Sequence, residues 1–146
     1  MENIINLTIR ATTLEQQRDG AVDLPARKQE VIKQYMEEAL EGSVSSAASG
    51  IAVLAIEYCR ENKIPTRNRR CLIGGDPLLM AELEHHLWLN RMVPVYSRYK
   101  LRAVPEKQVG LWVPEEWKHV GFRRPQKPLW KIKDERKRRE RGEDCD

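Results

Sequence analysis

The residues of this chain best suited to chemistry are a glycine pair, a few polar side chains that follow apolar runs, three histidines and three cysteines. Gly74, Gly75 and Asp76 follow the apolar Cys71, Leu72 and Ile73 and precede Pro77. A strand that ends in glycines and opens a helix presents unpaired backbone N–H groups at the positive end of the helix dipole, and the missing Cβ lets an anion approach. Such a junction can hold a phosphate. The same residues also make a tight βα turn, with glycine supplying φ > 0 and Asp76 capping the helix. No complete GxGxxG or GxxxxGK[ST] pattern surrounds them, and the Asp76 carboxylate repels an anion unless it turns back to cap.

Asn6 and Thr8 follow the first apolar run, and Ser97 and Arg98 follow the run at 92–96. If these runs are parallel strands, their carboxyl ends and the Gly74–Gly75 turn border one crevice, where open α/β sheets bind ligands. Asn and Thr recognise hydroxyls or base edges there, and Arg98 can pair bidentately with phosphate. Strand ends are also rich in turn formers for purely structural reasons, and Arg98 can equally be a surface charge. His85 and His86 sit about 100° apart on a helix and cannot chelate as an i, i+4 pair would. His119 lies in the segment after Arg98, where it can fold back over the rim as a proton donor or a hydrogen-bonding group, or serve only structurally. Arg98 and His119 are therefore the candidates for catalysis. Cys59, Cys71 and Cys145 match no zinc or CxxC spacing, and no nucleophile signature accompanies them. No metal and no cofactor is expected.

The elements that must position these groups can be read from pattern. Asn3 to Thr8 favours a short buried strand. Thr12 or Thr13 caps a brief helix through Glu15 and Gln16 that stops at Gly20. The run Ala21, Val22, Asp23, Leu24 is extended, because Pro25 forces its predecessor out of the α region. Pro25 opens a helix to about Glu41 whose Val31, Ile32, Tyr35, Met36, Ala39 and Leu40 share one face. Gly42 ends it, and Ser43 or Ser45 caps a second helix to about Asn62, with small residues that allow close approach to a sheet. Cys71 to Ile73 is a strand, Pro77 to about Asn90 a helix, and Met92 to Tyr96 a strand whose proline implies an edge or an end. Residues 99–104 and 117–122 read as a hairpin around a polar loop that bears tryptophan.

The alternation of strand and helix argues for an α/β layer: a small Rossmann-like, three-layer domain over residues 1–125, with a C-terminal β-hairpin. The 146 residues suit one core, and a 40% apolar and 33% charged composition fits a globular chain. No run approaches the about 18 apolar residues of a spanning helix, and residues 1–8 lack a secretion signal. A cytoplasmic location without membrane contact is expected. The basic excess lies at the end: residues 123–146 hold 10 Lys or Arg against 6 Asp or Glu, and the rest is balanced. Residues 126–146 are expected as a charged, flexible tail, with 134–141 a frayed helix or disordered, solvated or in salt-dependent contact with nucleic acid.

Asn6, Leu7, Thr8, Thr13, Glu15, Gln16, Gly20, Val22, Asp23 and Leu24 together resemble the start of a group of small bacterial proteins that open Asn-Leu-Thr-x-His-x-x-Thr-x-Glu-Gln. Ile73, Gly74, Gly75, Pro77, Leu79 and Met80, then Pro94 to Arg98, then His119, Gly121 and Phe122 resemble its second half. The likeness spans most of residues 3–122. The group resembles small Rossmann-like CARF-type accessory proteins of CRISPR systems, which sense or degrade cyclic oligoadenylate. The resemblance implies a nucleotide or oligonucleotide ligand, a ring-nuclease-like or sensing role, and a homodimer as one option. Where the group has histidine after the first strand this chain has Arg10, which keeps a phosphate-binding charge and loses an acid/base group near neutrality. Ligand binding therefore transfers better than cleavage, and whether the chain is an enzyme stays open. Asn6, Thr8, Arg10, Gly74, Gly75, Ser97 and Arg98 are the expected ligand-binding residues. The alternative is a noncatalytic interaction protein of a mobile element that contacts nucleic acid or a protein through its hairpin, around Trp112 and Trp117, and its basic tail.

Overall fold

The computed structural model describes residues 3–105 and 112–142, with backbone alone for 101–105 and 112–116. Its elements run β1 (Ile4–Asn6), α1 (Leu14–Arg18), β2 (Ala21–Asp23), α2 (Ala26–Leu40), α3 (Val44–Glu61), β3 (Arg70–Leu72), α4 (Pro77–Leu89), β4 (Val93–Pro105), β5 (Trp112–Arg123) and α5 (Leu129–Glu140). The strands form one sheet in the order β2-β1-β3-β4-β5. β1 to β4 are parallel, and β5 pairs antiparallel with β4. The fold is α/β and Rossmann-like.

The central strands are buried on both faces, as a parallel sheet covered on two sides requires. Alternate residues go to alternate layers. Ile5, Leu7, Cys71 and Ile73 pack with Ile32 of α2, Ile51 of α3 and Leu83 and Leu87 of α4. Ile4, Leu72 and Val95 face the other way, against Phe122 of β5. On that side α1 reaches β5, which completes the three layers. In α3 the buried faces of Ala47, Ala48, Ala52 and Ala55 keep the helices close, and a Cβ at Gly50 would run into the Tyr35 ring of α2. Small residues thus serve helix–helix approach as well as approach to the sheet. Leu40, assigned by its spacing to the apolar face, is 74% exposed, because α2 ends at that residue.

Thr13 caps α1 in a full capping box with Gln16, and Asp76 caps α4 by accepting from Leu79 N–H at 3.1 Å, with Pro77 in the first turn. α4 ends in a Schellman motif, with Met92 N–H on the Leu87 carbonyl at 2.9 Å and Arg91 N–H on the Trp88 carbonyl at 3.3 Å.

Two features differ from the sequence reading. The segments 92–96 and 99–104 belong to one strand, β4, because the chain bends at an irregularity in the ladder between Arg98 and Tyr99 and keeps pairing. Trp112 and Trp117 accordingly lie on β5, and residues 106–111, where the polar loop is expected, fall outside the described residues. Pro94, second in β4, sits opposite Cys71 of β3 while β5 begins to pair only at Tyr96. Its missing N–H therefore falls where no strand needs a donor. The charged segment after Pro128 is a helix, α5, one of the two forms expected for 134–141, and what differs is that it and the preceding Lys127 touch the body: the Trp130 ring meets His85 edge-on at 5.3 Å, and Lys127 Nζ stands 5.9 Å from the Trp88 ring centre.

Candidate functional site

The loop after β1 is fixed by its own polar side chains. Asn6 is buried; its amide donates to the Arg10 carbonyl at 2.7 Å and to Asp23 Oδ1 at 2.9 Å. Its oxygen accepts from Thr8 N–H at 3.0 Å and from Thr8 Oγ1 at 2.6 Å. Thr12 then donates to both carboxylate oxygens of Asp23, through N–H at 3.1 Å and Oγ1 at 3.2 Å. Asn6 and Thr8 thereby shape the loop that carries Arg10, whose side chain is exposed at the rim. Gly75 has φ +142°, and a Cβ at Gly74 would stand 3.8 Å from Thr8 Cγ2, so the turn after β3 lies beside the turn after β1.

The polar centre of the second face lies on β4 and β5. Tyr96 pairs with Arg123, Ser97 with Phe122 and Arg98 with Gly121, yet Tyr99 pairs with His119. Val120 is the extra residue of a β-bulge, and one added residue reverses the side to which all earlier residues of the strand point. The bulge brings His119 to the face shared by Ser97, Tyr99 and Phe122. Gly121, at φ +151°, accepts a backbone conformation that side-chain-bearing residues rarely adopt. The His119 ring lies 4.6 Å from that of Phe122 and 6.3 Å from that of Tyr99, centre to centre.

His119 bridges two groups. Nδ1 is in a short hydrogen bond with Ser97 Oγ, and Nε2 is 2.9 Å from Asp19 Oδ2 at the end of α1. An ionised carboxylate only accepts, so Nε2 carries a proton toward Asp19, and in the neutral ring Nδ1 is then the acceptor of the Ser97 hydroxyl. The histidine side chain is 1% exposed and that of Asp19 46%. Gln16 holds the other side of Ser97: its oxygen accepts from Thr13 N–H at 2.9 Å, which directs its NH₂ group to Ser97 Oγ and Tyr99 Oη, each at 3.4 Å. Hydroxyl, imidazole and carboxylate in sequence are the parts of an activated nucleophile or a proton relay. The ring turns Nδ1 to the hydroxyl and Nε2 to the carboxylate, opposite to the Ser-His-Asp hydrolase template.

Among the expected residues, Ser97 and His119 meet directly, and Thr8 and Gly74 adjoin. Arg98 is exposed and alternates with Ser97 along β4, so it takes no part in the relay. Sequence reasoning missed Asp19 and Gln16. Gln16 shows itself only as the third residue of a capping box, and Asp19 as an ordinary helix end before Gly20. Among the described residues no group of three or more His, Cys, Asp or Glu is placed to hold a metal ion. Cys59 and Cys71 are buried, and burial raises the thiol pKa of both, which keeps them protonated and unreactive. No described helix is long and apolar enough to cross a membrane.

No protein-family model, curated protein or solved structure matches the chain.

Proposed function

We propose that the carboxyl edge of the sheet binds a nucleotide, with a cyclic oligonucleotide second messenger as the ligand class, and that Ser97 and His119 move a proton there. The observation that carries this reading is the Ser97–His119–Asp19 chain, built from β4, β5 and α1 in a fold whose strand ends receive ligands. In an RNA-type phosphodiester, the 2′-hydroxyl attacks phosphorus and the P–O5′ bond breaks. His119, acting through the Ser97 hydroxyl, accepts the 2′ proton, and the imidazolium formed is paired with the Asp19 carboxylate. The departing 5′ oxygen takes its proton from water. Arg10 and Arg98, both exposed at the rim, supply positive charge to phosphates outside the relay.

Calorimetric titration with linear and cyclic oligonucleotides, followed by chromatography of the products, tests the reading. Binding is expected to weaken in Arg98→Ala and to persist in His119→Asn, with cleavage lost in the latter. No heat with any nucleotide would end the proposal. Binding that survives Arg98→Ala and disappears in the tail variant Arg136→Gln/Lys137→Gln would move the ligand to α5, as the interaction-protein reading requires.

A further inference from the structure

A second concave site lies at the opposite, amino-terminal edge of the sheet, independent of Ser97 and His119. It forms where Arg67 precedes β3, Arg91 precedes β4 and Arg124 follows β5, and α5 closes one side with Lys131, next to Lys127. The cavity measures about 100 Å³. The share of liquid volume held by one water is about 30 Å³, and sites for drug-sized molecules run to about 300 Å³ or more. The space therefore suits a group the size of one tetrahedral oxyanion.

Its charge is one-sided. Five lining residues are cationic, and Glu135 is the one acidic side chain among them. Both Glu135 oxygens are bonded by Lys127, at 3.0 and 2.9 Å. Arg67, Arg91 and Arg124 are in no ion pair among the described residues. Lys131 lines the same space although it is only 5% exposed, and its burial lowers the pKa of the ammonium against the pull of Glu135. A charge held out of water in cationic company is costly unless an anion joins it.

Two further observations point to a ligand. Trp88 lines the cavity, is 2% exposed, and its Nε1–H has no hydrogen-bond acceptor among the described residues. Buried donors of that kind are rare in folded proteins, and this one belongs to a residue of the cavity wall. Arg91 occupies the left-handed position of the Schellman motif, at φ +58°, where glycine is the usual residue. Lys63 takes the same position after α3, at φ +53°, so the conformation belongs to the helix cap, and what Arg91 adds is its charge on the cavity wall.

We propose that this cleft binds a phosphate group, either free inorganic phosphate or the monoester end of a larger ligand whose remainder stays outside. In ¹⁵N-labelled full-length protein the Trp88 indole N–H resonance, assigned by its loss in Trp88→Phe, is followed during titration with sodium phosphate. Sodium chloride at matched ionic strength is the control. A saturable shift with phosphate alone is expected, weakened about tenfold in Arg91→Gly through loss of one charge-assisted contact. That variant also relieves the backbone strain, so it melts no lower than the parent and lost binding does not reflect unfolding. Glycerol phosphate binding more tightly than inorganic phosphate assigns the site to a monoester, and the reverse order assigns it to free phosphate. A shift reproduced by chloride, or equal phosphate affinity in the parent, Arg91→Gly and Arg124→Gln, overturns the proposal.

Discussion

The two nitrogens of His119 have different partners, and substitutions at those partners separate their roles. Asp19→Asn keeps one hydrogen-bond acceptor and removes the charge that steadies an imidazolium. Nucleotide turnover is expected to fall about 100-fold or more, within the range of general acid–base contributions, with nucleotide affinity nearly unchanged. Ser97→Ala leaves the buried Nδ1 without its donor and should lower stability by about 1–3 kcal/mol in urea melts. Tyr96 is a separate case. Its hydroxyl donates to Glu84 Oε2 at 2.6 Å, and burial, reinforced by that bond and the Glu84 charge, raises its pKa. Above about pH 10 the unfolded tyrosine ionises while the folded one stays protonated, so stability falls as pH rises. Tyr96→Phe should be less stable by about 1 kcal/mol at neutral pH and lose less stability between about pH 9 and pH 11, read from urea melts across that interval. Residue type and position in the sequence marked His119 as a candidate for catalysis and Ser97 as a ligand-binding residue. They could not mark Asp19, which lies 100 residues from its partner and looks locally like any helix end.

Elements set which of these groups can meet. Helix starts and stops were legible because caps are local: Thr13 with Gln16, Asp76 with Pro77, and glycine after α2 all act within a few residues. The hairpin was only half legible. The ladder irregularity beside Tyr99 depends on β5 supplying an extra residue, and β-propensity along β4 contains no trace of that. Gly121→Ala tests the bulge: a Cβ meets no atom within 4 Å there, so any effect comes from backbone conformation. The substitution should cost about 1–3 kcal/mol and release His119 from Ser97, visible as a changed imidazole resonance in NMR spectra. Unchanged histidine signals would mean that the strand holds its bulge without glycine.

For the molecule as a whole, the strand–helix alternation sufficed to name an α/β layer, since a parallel sheet needs crossovers of that length. Charge composition was a poorer guide to the C-terminal segment. A run of lysine and arginine reads as solvated, yet α5 is anchored by Lys127, Trp130 and Lys131, whose contacts lie on α4 and the sheet edge. Replacing Lys127 by Glu reverses that anchor and is expected to shift tryptophan emission to the red as water reaches Trp88. Unchanged emission would place the anchor elsewhere. The prolines of this region have a further consequence. Extending the β4–β5 register by two residues beyond Tyr96 and Arg123 would set Pro94 against Pro125, two residues with no N–H to offer. The hairpin is therefore a zip with a stop at its inner end. It closes far enough to align His119 with Ser97 and no farther, and Arg124, just past the last pair, is left free to face the cleft.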